Sequence, residues 1–181
     1  LADYFRQKQL PFTPVGANTR EQSEKNLMEG RCDAYTGILS GLAAARSKMP
    51  KPDEWVILPE GISLDIIGPV VRQDDPHFAN VVTWTLNALV TAEELGVTAE
   101  NVTSMRDSAS APDVQRLLGK TANFGAKLGL DSDWALRAIK AVGNYGEMYA
   151  RHLGKDSPLK LERRLNALWK DGGLLISPPF R

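Results

Sequence analysis

The hydrophobic period changes at Asp75. Beyond it, Phe78, Val81, Val82, Leu86, Leu89 and Val90 recur at i, i+3 and i+4. That spacing predicts one long amphipathic helix to Leu95, closed by Gly96. Before it, short apolar runs alternate with helical stretches. LPFTPV (10–15), RCDAYT (31–36), WVIL (55–58) and 64–72 read as strands, the last holding Gly68-Pro69. A proline removes a backbone donor, so an edge position suits that strand better than a central one. Helices are predicted over 1–9, from the cap Asn18-Thr19-Arg20-Glu21 to Glu29, and over 39–48.

After Gly96 the chain reads as nearly all helix, with candidates at 97–105, 111–118, 134–152 and 159–169. GKTANFGAKLGLDSD (119–133) is looser, and Pro178-Pro179 forbids helix after Ser177. Strand and helix alternate in the first part, as in an α/β sheet, and the second part is helical. The division falls near residue 96.

With 181 residues, the chain can build one sizeable core or two small lobes. Lys+Arg and Asp+Glu are 22 each, and this zero balance argues against nucleic acid or an anionic membrane as the main partner. No apolar run approaches the roughly 18 residues of a membrane span. The opening LADYFRQKQ carries no signal-peptide pattern and starts mid-helix without a cap, which suggests a processed or truncated chain.

Catalytic signatures are missing. There is no G-x-x-x-x-G-K-[ST], no dinucleotide fingerprint, no G-x-S-x-G and no zinc spacing. Ser40 has no nearby base. The lone Cys32 reads as a buried thiol, since His77 and His152 stand in no ligand spacing with it. Carboxylates such as Glu93-Glu94 and Asp131/Asp133 lie at helix ends, where they serve dipoles and caps. Trp84, Trp134, Tyr145, Tyr149 and Trp169 have the spacing of core residues. No enzyme, metal or cofactor is implied.

The order of elements, together with GRCDAYT, SGLAAAR, DEWVILPE, GPVVRQDD, WTLNALVTAEELGV, the run from LGLDSDW to ARHLG, SPLKLERRLNALWKDGGL and PPFR, resembles the periplasmic solute-binding proteins of amino-acid ABC transporters. The likeness to the general L-amino-acid binding proteins (extracellular solute-binding family 3) covers essentially the whole chain.

The resemblance implies an α/β chain: a truncated periplasmic-binding-protein type II fold followed by a mostly helical C-terminal extension. Residues 1–58 would be the α/β part of lobe two, 59–96 the returning strand and long helix of lobe one, and 97–181 the extension. It implies a periplasmic receptor that captures an L-amino acid or related solute and delivers it to an inner-membrane permease. Lobe one would lie upstream, with its carboxylate clamp and a cysteine partner for Cys32, leaving Cys32 free.

Under this resemblance Thr36, Gly37, Ile38 and Ser40 line the cleft, and Arg72 is the basic position after the returning strand. Relatives carry Thr-Asp where this chain has Gly37-Ile38, the aspartate taking the solute's α-ammonium. Leu39 follows where relatives are often polar. Losing a desolvated cation's partner costs roughly 2–5 kcal/mol. Asp33 is no substitute, because its odd offset puts it on the opposite strand face from position 38. A peptide, an amide or a less polar solute then fits better. The alternative is a non-transporting interaction module that forms a homo-oligomer through exposed lobe edges.

Overall fold

The computed structural model describes residues 1–108 and 110–180. The chain divides into two compact units, Leu1–Ile67 and Gly68–Arg181.

The first unit holds α1 (Ala2–Gln7), α2 (Arg20–Met28), α3 (Leu39–Lys48) and a 3-10 turn at Pro52–Glu54. Thr19 caps α2, its side chain accepting a hydrogen bond from Gln22 N at 3.2 Å, and Gly30 takes a left-handed φ of 67° beyond the helix end. Both caps are legible in the sequence. Ala43, Ala45 and Met49 are buried, a thin core for a unit of this size.

The second unit is built on α4 (Pro76–Glu94). Asp75 caps it, its carboxylate accepting from Phe78 N at 2.9 Å, and Pro76 takes the first turn. Then come α5 (Val102–Ser108), α6 (Pro112–Leu117), α7 (Trp134–Val142) and α8 (Tyr145–His152). Ala88, Leu89 and Ala92 of α4 pack with Val97, Val102, Leu117, Leu118, Trp134 and Ile139 in one continuous core. The chain's last aromatic, Phe180, is buried in the same cluster.

Several expected elements are corrected. The segments 10–15, 32–36, 55–58 and 64–72 carry no β-ladder among the described residues, whose recorded β-bridge is the parallel pair Leu168–Leu175. A strand persists only when a neighbour takes its backbone groups, and these segments have none. Pro11, Pro14 and Pro69 remove donors as well. The expected α/β sheet is therefore not formed among the described residues.

The helix expected over 134–152 breaks at Gly143, which takes φ 82° and ψ −179°. Asn144 restarts it as a capping box: its side chain accepts from Glu147 N at 2.9 Å, and Glu147 Oε2 accepts from Asn144 N at 2.8 Å. The helix expected from Val97 begins at Val102 instead. Thr98 and Asn101 exchange backbone-to-side-chain hydrogen bonds of 2.8 and 3.2 Å ahead of it.

The helix expected over 159–169 is replaced by 3-10 turns at Arg164–Asn166 and Trp169–Asp171. Tertiary contacts override its helical spacing. Leu161 N donates to Leu153 O at 2.8 Å, and Glu162 O accepts from the Tyr149 hydroxyl at 2.9 Å. Trp169, expected in the core, is 54% exposed, and its indole donates to Glu94 at 3.0 Å.

Candidate functional site

In the first unit the starts of α2 and α3 lie beside each other. A methyl group added at Gly41 would sit 3.2 Å from Arg20 Nη2, so the guanidinium lies over the first turn of α3. Arg20 is the first residue of α2, and glycine at position 41 leaves the room it occupies.

The two helix starts differ. At α2, Glu21 is held below the ordinary carboxylate range by a hydrogen bond from its own backbone, then by the Thr19 hydroxyl and the nearby Arg20 charge. At α3, no acidic residue lies in the first turn, and Ile38 occupies the cap position with no side-chain cap. The free N–H groups of a helix start carry partial positive charge. With Arg20 over it, the α3 end is electropositive and its own carboxylates leave it unneutralised.

Thr36 and Gly37 lead into this end as extended chain, and Ile38 is 51% exposed at the cap. Ser40 is half-buried in the first turn of α3. A Cβ at Gly37 would meet Leu42 Cδ2 at 3.4 Å and the Tyr35 hydroxyl at 3.6 Å. These four residues form the lead-in and first turn of α3, with no strand ahead of it among the described residues. Arg72 belongs to the second unit, where it is exposed and holds Asp74 in a two-pronged pair of 3.0 and 2.6 Å.

Sequence reasoning read Asn18-Thr19-Arg20-Glu21 only as a cap. The structure places Asn18 and Thr19 on an open cavity of about 430 Å³, with Val15, Gln22, Asn26 and Arg31 among its other walls. Asn26 is buried, and its side-chain oxygen accepts from Gln22 Nε2 at 2.8 Å. Cys32 is half-buried and free.

The second unit has a wider depression of about 1190 Å³ beside α8. Of its charged groups, Arg163, Glu147, Arg151 and Lys160 are already engaged. Arg163 binds Glu93 and stacks on the Tyr145 and Tyr149 rings, with 5.5 and 5.1 Å to the centroids. Burial pushes both tyrosine hydroxyls up, with Arg163 pulling the other way. Among the described residues no group of His, Cys, Asp and Glu could hold a metal ion. No helix there is long and apolar enough to cross a membrane.

The whole chain is 46% identical to the general L-amino acid-binding periplasmic protein AapJ of Rhizobium johnstonii, and 43% identical to the glutamate/glutamine/aspartate/asparagine-binding protein BztA of Rhodobacter capsulatus. It covers 53% and 54% of their lengths. Over its whole length the chain is similar to solute-binding proteins of amino-acid ABC transporters. The chain spans about half the length of the curated relatives it matches. A solved structure described as an ABC transporter periplasmic binding protein from Brucella ovis with glutathione bound superposes with a TM-score of 0.89 at 48% identity. That match takes in 99% of this chain and 56% of the other. No protein-family model matches the chain.

Proposed function

We propose that the chain acts in solute capture for an ABC-type uptake system, in the periplasm, with delivery to an inner-membrane permease. The observation that carries this reading is identity of 43–48% over 99–100% of this chain, and about half of each relative, to proteins whose names specify amino acids or glutathione. Residues 1–58 serve as part of lobe two, 59–96 as the return to lobe one, and 97–181 as a helical extension. No bond in the solute is made or broken.

The site in this reading is the α3 end of the first unit, lined by Thr36, Gly37, Ile38 and Ser40, with Arg20 added. Its chemistry favours the carboxylate end of an amino acid or short acidic peptide. Arg20 supplies a planar cation, and Asn18 and Thr19 supply polar side chains nearby. Ile38 offers an ammonium group nothing. A solute with its amino group elsewhere in the molecule, as in a γ-linked peptide, fits this end better than a free α-amino acid.

A thermal-shift titration of the 181-residue chain with the twenty L-amino acids and glutathione tests this. A ligand at a hundred times its dissociation constant adds about 2.7 kcal/mol of stability. The expected result is a rise in melting temperature with glutathione or an acidic amino acid. A cooperative melt that shifts with none of them overturns the reading. The non-transporting module remains the second reading, favoured by the exposed Ile38 and by the aliphatic stretch that follows α3.

A further inference from the structure

Arg20 and Gln22 are two residues apart, about 200° of helix rotation, so they lie on opposite sides of α2. The side away from Arg20 carries Gln22 and Asn26, which are four apart and share a face. Both line the open cavity of about 430 Å³, with the loop 15–19 and Arg31 as its other walls. Asn26 is 5% exposed. Gln22 Nε2 donates to its Oδ1 at 2.8 Å, which fixes the direction of the amide. Its Nδ2 then has two N–H donors and no hydrogen-bond partner among the described residues. No fully buried side-chain nitrogen or oxygen there lacks a partner, so Nδ2 is the part of Asn26 that reaches the cavity. An asparagine buried only for packing would turn both ends of its amide toward protein groups.

Arg31 supplies the charge. Glu29 holds its Nε at 2.9 Å, and the two terminal nitrogens have no partner among the described residues. No carboxylate stands in the described walls. The strongest polar groups of the cavity therefore donate, and nothing anionic is present to hold an ammonium group. We infer that this cavity is a binding site for a small carboxylate whose body is polar and carries no ammonium group. The carboxylate takes Asn26 Nδ2 and the terminal nitrogens of Arg31, and the amides of Gln22 and Asn18 are left for the polar body. A volume of about 430 Å³ suits a small organic acid, since small-molecule sites span roughly 300–1,000 Å³. The site lies on the other side of α2 from Arg20 and the α3 end, and the inference does not depend on what is captured there.

N-acetylglycine is the probe, because it has a carboxylate and an amide but no ammonium group. The isotope-labelled chain is titrated with it at constant ionic strength and followed by heteronuclear NMR. The expected result is a saturable shift of the Asn26 side-chain amide and of the Arg31 backbone amide. Arg31→Gln should weaken that binding about tenfold or more, because the charge-assisted donors are lost. Its side chain is exposed and its pair with Glu29 lies at the surface, so the rest of the spectrum should stay unchanged. Shifts at Asn26 that never saturate overturn the inference. So do shifts that are indifferent to Arg31→Gln. Shifts confined to residues 37–41 also overturn it while leaving capture at the α3 end standing, so the two readings fall separately.

Discussion

Arg163 grips Glu93 across 70 positions of sequence, with Nη1 to Oε1 at 2.9 Å and Nη2 to Oε2 at 3.1 Å. The same guanidinium donates to Asn166 O at 2.7 Å and lies over Tyr145 and Tyr149. It thereby joins the end of α4, the whole of α8 and the segment beyond Leu161. Both side chains are mostly shielded from solvent, so removing one leaves the other charge buried and unpaired. Glu93→Gln should cost about 3 kcal/mol, at the low end for a buried pair that loses one partner. Urea titration should show a lower midpoint at unchanged slope. Replacing both residues with Met and Leu should cost less than the single change.

Phe180 closes the second unit from the far end of the chain. Its ring meets Trp84 edge-on at 5.4 Å and lies 6.0 and 6.5 Å from Phe124 and Trp134, while Arg116 Nε donates to its carbonyl at 2.9 Å. Phe180→Ala should destabilise the unit by about 3–5 kcal/mol. Tryptophan emission should shift to the red as Trp84 and Trp134 gain water.

Two glycines with positive φ should respond differently. At Gly96, φ is 70° and a Cβ meets nothing within 4 Å. Gly96→Ala should cost about 1 kcal/mol, the strain of the left-handed region alone. At Gly143, φ is 82° and a Cβ would lie 2.8 Å from Glu147 Cβ, inside the capping box of α8. Gly143→Ala should cost about 3 kcal/mol or more, as strain and clash add. Thermal melts of the two variants compare them directly.

These positions mark how far the sequence could be read. The caps at Thr19 and Asp75 and the core stripe of α4 follow from local chemistry, and local chemistry is written in neighbouring residues. The break at Gly143 was also visible, since glycine followed by Asn-x-x-Glu is a stop and a new start; the continuous apolar spacing hid it. The loss of helix around Arg163 was not visible. It depends on Glu93 and Tyr149, which no local pattern connects to it. The missing sheet has a different cause: an apolar run such as 64–72 suits a strand but cannot state whether a neighbour is present to pair with it. At the site, the start of α3 at Leu39 was legible, but the strand expected before it was not formed. The place of Arg20 over α3 was not legible, because it is set by the room at Gly41.

Stability should also fall at high pH. Burial raises the folded-state pKa of Tyr145 and Tyr149 above the ordinary 10.0, against the pull of Arg163. The folded chain therefore keeps protons that the unfolded chain releases. The stabilisation is whole below about pH 10 and is lost as pH rises through the raised folded values. Tyr145→Phe should flatten that alkaline decline. Melting temperatures over roughly pH 8 to 11, the range that brackets a phenol's titration, should show the wild type dropping more steeply than the variant.

The chemistry proposed at α3 makes Arg20 and Ile38 separable. Arg20 is exposed and carries no core packing, so Arg20→Ala should leave the melting temperature within about 1 °C, as surface changes do. It should weaken an acidic solute about tenfold or more, since a charge-assisted hydrogen bond contributes about 1.5–3 kcal/mol. Ile38→Asp acts in the opposite sense. A carboxylate at the cap position accepts from the free N–H groups of α3 and should raise stability by about 1 kcal/mol. It also neutralises the electropositive end, so an anionic solute should bind less tightly while a free α-amino acid, with an ammonium to place, gains. Calorimetric titration of both variants with glutathione and with glutamate separates the outcomes. If Ile38→Asp strengthens both solutes alike, the α3 end does not receive the carboxylate, and the orientation proposed for the solute is wrong.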